Sequence, residues 1–113
     1  MFMKLKNYIW ILTPSETAIY PNLGKNPYYP TLGLVGEAGE IANKVKKIMR
    51  DKNGVVDSET KEDIKKELGD VLWYVSAVAS EFQLNMSDIA FANYEKLKKR
   101  MEDGKIKGSG DNR

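Results

Sequence analysis

Two pairs of acidic residues are the feature of this sequence best suited to chemistry. Glu37 precedes Glu40 by three positions, and Glu67 precedes Asp70 by the same interval. That spacing places both members of a pair on one side of a helix. Four converging carboxylates would need a hard divalent cation such as Mg²⁺ or Mn²⁺ to offset their repulsion. Acidic pairs are also common on solvated helix surfaces, so either pair alone leaves both interpretations open.

The absence of cysteine and histidine narrows the chemistry further. The chain of 113 residues contains neither residue type. This excludes disulfides, thiol nucleophiles, Ser-His-Asp relays, zinc held by His or Cys, and histidine-ligated haem. Catalysis by this chain would therefore depend on carboxylates, hydroxyls and amines, together with any ion that the carboxylates hold.

The helices that carry the acidic pairs place them alike. On the first of the two helices, Glu37 lies about 60° and Glu40 about 120° to one side of an apolar stripe, at 100° per residue. On the second, Glu67 and Asp70 have the same two offsets. The stripes comprise Leu34, Ala38, Ile41, Val45 and Ile48, and Ile64, Leu68, Val71, Val75, Val78 and Phe82. Packing of the stripes would bring all four carboxylates to the rim of one core. Gly36, Gly39 and Gly69 flank the pairs, and a glycine inside a helix suggests close helix approach or room for a ligand.

The rest of the chain predicts an all-α domain of four main helices and no strand. We place three helices at about 2–12, 31–50 and 58–82. A fourth starts near residues 85–88, capped by Asn85 or Ser87, and ends around residues 103–104. Residues 13–16 (TPSE) either start a further short helix or mark a kink. Residues 20–30 are expected to form an ordered loop whose tyrosines pack in the core or, alternatively, stack on a base. The domain is predicted to span residues 1–104, followed by a tail over 105–113.

Charge and hydropathy limit the partners and the location that we expect for the protein. The formal charge is +2, and residues 96–113 contain seven basic and three acidic side chains. The overall charge is too small to indicate nucleic acid by itself, so nucleic-acid binding is not expected. The basic end could meet phosphate or could form a solvated helix end. No apolar run approaches the roughly 20 residues that span a bilayer, and no signal-peptide pattern opens the chain. We therefore expect no membrane association and a cytoplasmic location.

Several segments together resemble the MazG-like family of all-α nucleoside triphosphate pyrophosphohydrolases. They are residues 29–40 (YPTLGLVGEAGE) with the lysines that follow, 67–74 (ELGDVLWY), 93–100 (NYEKLKKR) and 108–113 (GSGDNR). The family pattern is two adjacent glutamates, two spacers and a third glutamate, followed later by Glu-x-x-Asp. Gly36 stands here in place of the first glutamate. The resemblance covers nearly all of the chain from about residue 20.

The resemblance implies hydrolysis of a nucleoside triphosphate between its α and β phosphates, giving a monophosphate and pyrophosphate. It also implies that Glu37, Glu40, Glu67 and Asp70 hold Mg²⁺, or Mn²⁺ in its place. Magnesium would neutralise charge on phosphate oxygens, while a carboxylate orients or deprotonates the attacking water. Because histidine is absent, Glu37 or Glu40 is the expected base.

Five further residues are candidates for substrate binding. Lys44 lies about 80° from the apolar stripe, between the two glutamates of its helix. Tyr74 has the same angular position on the next helix and either lines the nucleotide pocket or packs. Asn93, Lys96 and Arg100 share one face of the last helix and match the family's helix there. A solvated helix face is the alternative for these three.

Oligomers and rival functions complete the expectations. Members of the family form homodimers or homotetramers, and Trp73, about 180° from its stripe, would be exposed in a monomer and covered in a subunit interface. One rival is a pyrophosphohydrolase of a nucleotide-like ester such as phosphoribosyl-ATP. The other is a non-catalytic helical interaction module.

Overall fold

A computed structural model describes residues 18–104, which form three α-helices and contain no strand. Helix α1 spans Tyr28–Asp51, α2 spans Ser58–Glu81 and α3 spans Met86–Glu102. The all-α prediction is therefore confirmed for this part of the chain. The predicted helix at 2–12, the start signal at 13–16 and the tail at 105–113 lie outside the described residues. Among the described helices, none is long and apolar enough to cross a membrane.

Helix α1 begins at Tyr28, three residues before the predicted start. The side-chain oxygen of Asn26 accepts a hydrogen bond from the backbone N–H of Tyr29 at 3.2 Å, which satisfies one free donor of the first turn. Pro30 lies within that first turn, where the missing N–H of proline costs nothing. The proline that suggested a loop is thus part of the helix.

The connection from α1 to α2 is a short turn held by side-chain hydrogen bonds. Asn53 and Gly54 have φ values of 52° and 78°, which reverse the chain just after α1. Asp57 caps α2 by accepting from the backbone N–H of Thr60 at 2.8 Å. The ammonium of Lys52 bonds both Asp57 at 3.1 Å and the Thr60 hydroxyl at 2.9 Å. These contacts tie the end of α1 to the start of α2.

Helices α1 and α2 pack against each other as an antiparallel hairpin. Three contacts define the register: Gly33 faces Tyr74, Lys44 faces Glu67 and Lys52 faces Thr60. As the position advances along α1, its partner moves back along α2. This arrangement brings the two acidic pairs to the same level of the hairpin.

Burial follows the predicted stripes only in part. Ile48 is buried, whereas Val45, Leu68 and Phe82 are exposed despite belonging to the stripes. The second half of α2 is instead covered on more than one side, since Ser76, Ala77 and Ala79 are buried. A stripe gives a direction around the helix axis, but burial also needs something packed at that height along the axis. The sequence pattern lacks this second piece of information.

Helix α3 belongs to a separate compact unit from the α1–α2 hairpin. Its cap is Asn85, whose side-chain oxygen accepts from the backbone N–H groups of Ser87 at 2.7 Å and Asp88 at 3.4 Å. Of the two predicted caps, Asn85 is therefore the correct one. Asp103 closes the helix, and Gly104 follows it with φ of 69°.

Candidate active site

Three of the four predicted carboxylates meet between α1 and α2. One oxygen each from Glu37, Glu67 and Asp70 lies within 4.8 Å of the others. Glu37 and Glu67 are half-buried, and Asp70 is exposed. We call these three residues the carboxylate cluster.

The negative charges of the carboxylate cluster repel one another. Partial burial raises the pKa of Glu37 above its usual value, and the charges of Asp70 and Glu67 raise it further. A hydrogen bond between the carboxyl groups of Glu37 and Glu67, together with the charge of Glu40, acts in the same direction. Three carboxylates so close together favour a bound cation or a bound proton.

The donor set fits magnesium or manganese. All three groups offer oxygen, the ligand that hard divalent cations prefer, and each has a further oxygen for a second contact. No histidine or cysteine exists in the chain to favour a softer metal. The carboxylate cluster is open to solvent at Asp70, which leaves space for water or phosphate oxygens. Magnesium usually keeps such oxygens among its ligands.

Glu40 lies outside the carboxylate cluster. Its side chain is exposed, and it follows Glu37 by about one turn of α1. Its charge nevertheless contributes to the raised pKa of Glu37, so the two carboxylates are neighbours. The expectation that all four carboxylates converge is met by three of them.

Lys44 lies beside the cluster, on the side predicted from its helical angle. Its ammonium is 3.8 Å from a carboxylate oxygen of Glu67, and both side chains are partly exposed. Lys44 also lines a cleft of about 270 Å³ that continues towards the connection between α1 and α2. The other residues that line this cleft are Lys47, Ile48, Asp51, Lys52, Thr60 and Asp63. A positive side chain thus borders the negative cluster.

Tyr74 packs directly against α1 at the edge of the cluster. A Cβ at Gly33 would lie 2.2 Å from Cε1 of the Tyr74 ring, so only glycine leaves room for this ring. Burial raises the pKa of the Tyr74 phenol, and the nearby charges of Tyr29, Glu37 and Asp70 raise it too. Tyr74 therefore packs against α1, which is one of the two predicted alternatives, and its ring borders the carboxylate cluster.

Close helix approach does not explain the glycines that flank the acidic pairs. A Cβ at Gly36, Gly39 or Gly69 would meet nothing within 4 Å among the described residues. Gly33, which the spacing of the acidic pairs does not single out, is the position of close contact. The space beside the other three glycines is open. Of the two explanations offered for them, room for a ligand is therefore the one that remains.

The three candidates on α3 differ in exposure. Asn93 lines a groove of about 410 Å³ on the unit of α3, and Lys96 is exposed. Arg100 is only 8% exposed, so a freely solvated helix face does not describe it. A buried arginine normally has polar partners.

Trp73 is less exposed than its helical angle suggests. Its ring is half-buried and contacts the Tyr74 ring edge-to-face, with 5.0 Å between the centroids. The expectation that a single chain exposes Trp73 is therefore met only in part. The angle was measured from one stripe, whereas this half of α2 is covered on several sides.

Sequence reasoning missed Glu81, the last residue of α2. Its carboxylate accepts hydrogen bonds from the Tyr20 hydroxyl and from the backbone N–H groups of Gly24 and Asn26, both at 2.8 Å. No local signal could have identified it, because its partners lie more than 50 positions earlier. Only the antiparallel register brings that loop to the end of α2.

The sequence of the chain is similar to one family model and to two known proteins. The family model described as the MazG nucleotide pyrophosphohydrolase domain matches residues 29–104. The chain is 50% identical over 110 residues to Gene 37 protein of Mycobacterium phage L5, covering 93% of this chain and 96% of the phage protein. It is 33% identical over 91 residues to Uncharacterized protein YvdC of Bacillus subtilis (strain 168), covering 74% and 86% respectively.

No solved structure gives a significant match to the chain. The family model covers the segments that contain the carboxylate cluster, Lys44 and Tyr74, and it also covers α3. The relative from phage L5 extends this similarity over almost the full length of both chains. The chain therefore belongs to the MazG nucleotide pyrophosphohydrolase family.

Proposed function

We propose that this protein is a magnesium-dependent nucleoside triphosphate pyrophosphohydrolase that releases pyrophosphate and a nucleoside monophosphate. The convergence of Glu37, Glu67 and Asp70 from two helices is the observation that carries the proposal. Membership in the family supports the reaction class. The nucleotide and the metal are our inference from the site.

The carboxylate cluster is the proposed metal site. Glu37, Glu67 and Asp70 would hold Mg²⁺, with Mn²⁺ as a substitute. When bound, the ion neutralises negative charge on phosphate oxygens. The cluster's own contribution is to keep the carboxylates together on two packed helices, so that little rearrangement accompanies binding.

Glu40 is the proposed base. As a neighbour of Glu37, it is also a candidate for a fourth metal ligand. It is exposed, adjacent to Glu37 and outside the cluster, so its oxygens are available to a water molecule. In hydrolysis the water oxygen bonds to phosphorus, the bridging P–O bond breaks and pyrophosphate leaves. A carboxylate that takes the water proton makes the oxygen a better nucleophile.

The substrate's phosphates and nucleoside have separate candidate partners. Lys44, beside Glu67, is placed to pair with a phosphate oxygen. Tyr74 borders the cluster and offers an aromatic edge to the sugar or base. Asn93, Lys96 and Arg100 on α3 are further proposed contacts, because they share a face and lie within the segment that the family model matches.

A panel of nucleotides tests the proposal. Purified protein with Mg²⁺ is incubated with each common ribo- and deoxyribonucleoside triphosphate, and pyrophosphate is measured. We expect release from at least one of them and none after chelation of the metal. Phosphoribosyl-ATP belongs in the same panel, since exclusive turnover of that ester would identify the related rival activity.

A thermal-shift measurement separates the enzyme from a non-catalytic interaction module. Mg²⁺ with a non-hydrolysable triphosphate should raise Tm, because a ligand that binds only the folded state stabilises it by mass action. An interaction module without a nucleotide site predicts no rise.

A homodimer or homotetramer is the proposed assembly. Large apolar side chains remain exposed on both helices of the hairpin, among them Leu32, Val35 and Met49 on α1 and Leu68 on α2. Apolar surface of this kind is typical of subunit contacts. Sedimentation equilibrium should give a mass of two or four times 12.8 kDa; a monomer at micromolar concentration would contradict the assembly.

A further inference from the structure

The carboxylate of Glu81 holds the loop 20–27 to the end of α2. One of its oxygens accepts from the Tyr20 hydroxyl and the Gly24 N–H, and the other accepts from the Asn26 N–H. Both oxygens are thus used as acceptors, which only a carboxylate can provide. The Tyr20 hydrogen bond is the main reason that the pKa of Glu81 lies below its usual value.

This anchored loop sets the position of an aromatic ring. Tyr20 is buried, and its ring stacks on that of Tyr29, with 4.8 Å between centroids and 12° between planes. Asn26, the other end of the anchor, accepts from the Tyr29 N–H through its side chain. Glu81 therefore restrains Tyr29 from two directions, through its stacking partner and through its backbone.

Tyr29 in turn lies next to the candidate active site. It precedes Gly33 by one helical turn, so the two share a face of α1, and the Tyr74 ring lies on Gly33. Burial raises the pKa of the Tyr74 phenol, and the nearby charges of Tyr29, Glu37 and Asp70 raise it further, so all three groups lie near that ring. Tyr29 remains 46% exposed, which leaves part of its ring available to a ligand.

We infer that Glu81 is a positioning residue for substrate binding, which acts by fixing the ring of Tyr29 beside Tyr74 as a wall for the nucleoside part of the substrate. The inference rests on the proposed function. It assigns no chemical step to Glu81, which does not belong to the carboxylate cluster. Its effect is thus expected in KM and not in kcat.

The decisive variant is Glu81→Gln, which preserves size but not the pattern of acceptors. The side-chain NH₂ of glutamine would face N–H or O–H donors on one side of the anchor. We expect the loop to detach, with faster hydrogen exchange at the Gly24 and Asn26 amides. KM should rise about tenfold while kcat stays within about twofold, because the carboxylate cluster is untouched.

A double-mutant cycle shows whether Glu81 acts through Tyr29. Tyr29→Ala alone should raise KM at least as much as Glu81→Gln. If Tyr29 carries the effect, adding Glu81→Gln to Tyr29→Ala should produce little further change. Glu62→Gln, on an exposed part of the same helix, is the matched control and should leave KM and loop exchange at wild-type values.

The outcomes are distinct. Faster loop exchange in Glu81→Gln with an unchanged KM overturns the inference and leaves the proposed function intact, as do additive effects in the double mutant. Equal losses in kcat and KM would also overturn it, because they indicate general damage to the site. Failure of the wild-type protein to turn over any nucleotide overturns the proposed function, and this inference with it.

Discussion

The ring of Tyr74 occupies the space that a side chain at position 33 would need. The nearest ring carbon is 2.2 Å from an ideal Cβ at Gly33, closer than any real contact. This pair fixes the separation and register of α1 and α2 at the level of the carboxylate cluster. The geometry of the candidate site thus depends on a residue that carries no functional group.

Gly33→Ala should displace the Tyr74 ring and destabilise the fold. We expect a loss of about 1–3 kcal/mol, as for other overpacked sites, measured by urea denaturation. Gly39→Ala is the matched control: its Cβ would meet nothing, so helix propensity should stabilise the protein by up to about 1 kcal/mol. Equal effects of the two substitutions would show that the Gly33–Tyr74 contact does not determine the packing.

Asp70→Asn and Glu40→Gln should separate metal binding from proton transfer. Asp70→Asn removes a cluster ligand, so the rise in Tm with Mg²⁺ should disappear, while Tm without metal stays equal or increases because repulsion is relieved. Glu40→Gln should retain much of the metal-induced rise but lower kcat by about 10²–10⁴-fold. If Glu40→Gln abolishes the metal response as completely as Asp70→Asn, Glu40 is a ligand and our assignment of the base is wrong.

Lys44→Gln should weaken substrate binding. The ammonium beside Glu67 offers the charge that a phosphate oxygen needs, so its removal should raise KM by about tenfold. Lys46→Gln, an exposed lysine two positions along α1, is the control and should have little effect. A KM that is insensitive to Lys44→Gln would show that this lysine only balances the charge of Glu67.

The Asp57 cap should make stability depend on pH in the acid range. Hydrogen bonds from Thr60, followed by contact with Lys52, lower the pKa of Asp57 to about 2. Its folded-state pKa is therefore below the unfolded value, so its contribution is present above about pH 4 and is lost as the pH falls towards 2. Asp57→Ala should accordingly be less stable than wild type at about pH 5, with the difference decreasing towards pH 2.

The control for this pH effect is Glu59→Gln in the same turn of α2. It leaves the Asp57 cap in place, so its stability should follow the wild-type pH dependence. Thermal unfolding from about pH 2 to pH 6 provides the comparison. A gap between Asp57→Ala and wild type that does not change with pH would contradict the role of the ionised cap.

Helical angles predicted the carboxylate cluster, but they could not predict the register of α1 against α2 or the contacts between distant parts of the chain. The offsets of Glu37, Glu67 and Asp70 beside two apolar stripes indicated that these carboxylates meet, since a stripe marks the packed side of a helix. Which residue of α1 faces which residue of α2 depends on side-chain size along the whole contact. The pairing of Gly33 with Tyr74 therefore emerged only from the structure.

Glu81 shows the same limit at longer range. Its three donors come from the loop 20–27, and nothing in the local sequence of α2 distinguishes it from an ordinary surface glutamate. The cap at Asn85 was predictable because a cap depends on local sequence. A carboxylate that organises a distant loop is visible only when the fold brings the two together.

The most direct test of the central claim is the stoichiometry of products with and without the metal site. Wild-type protein with Mg²⁺ should convert a nucleoside triphosphate into equal amounts of monophosphate and pyrophosphate, and Asp70→Asn should produce neither. Release of orthophosphate instead of pyrophosphate, or undiminished turnover by Asp70→Asn, would contradict the claim that the carboxylate cluster is a metal-dependent pyrophosphohydrolase centre.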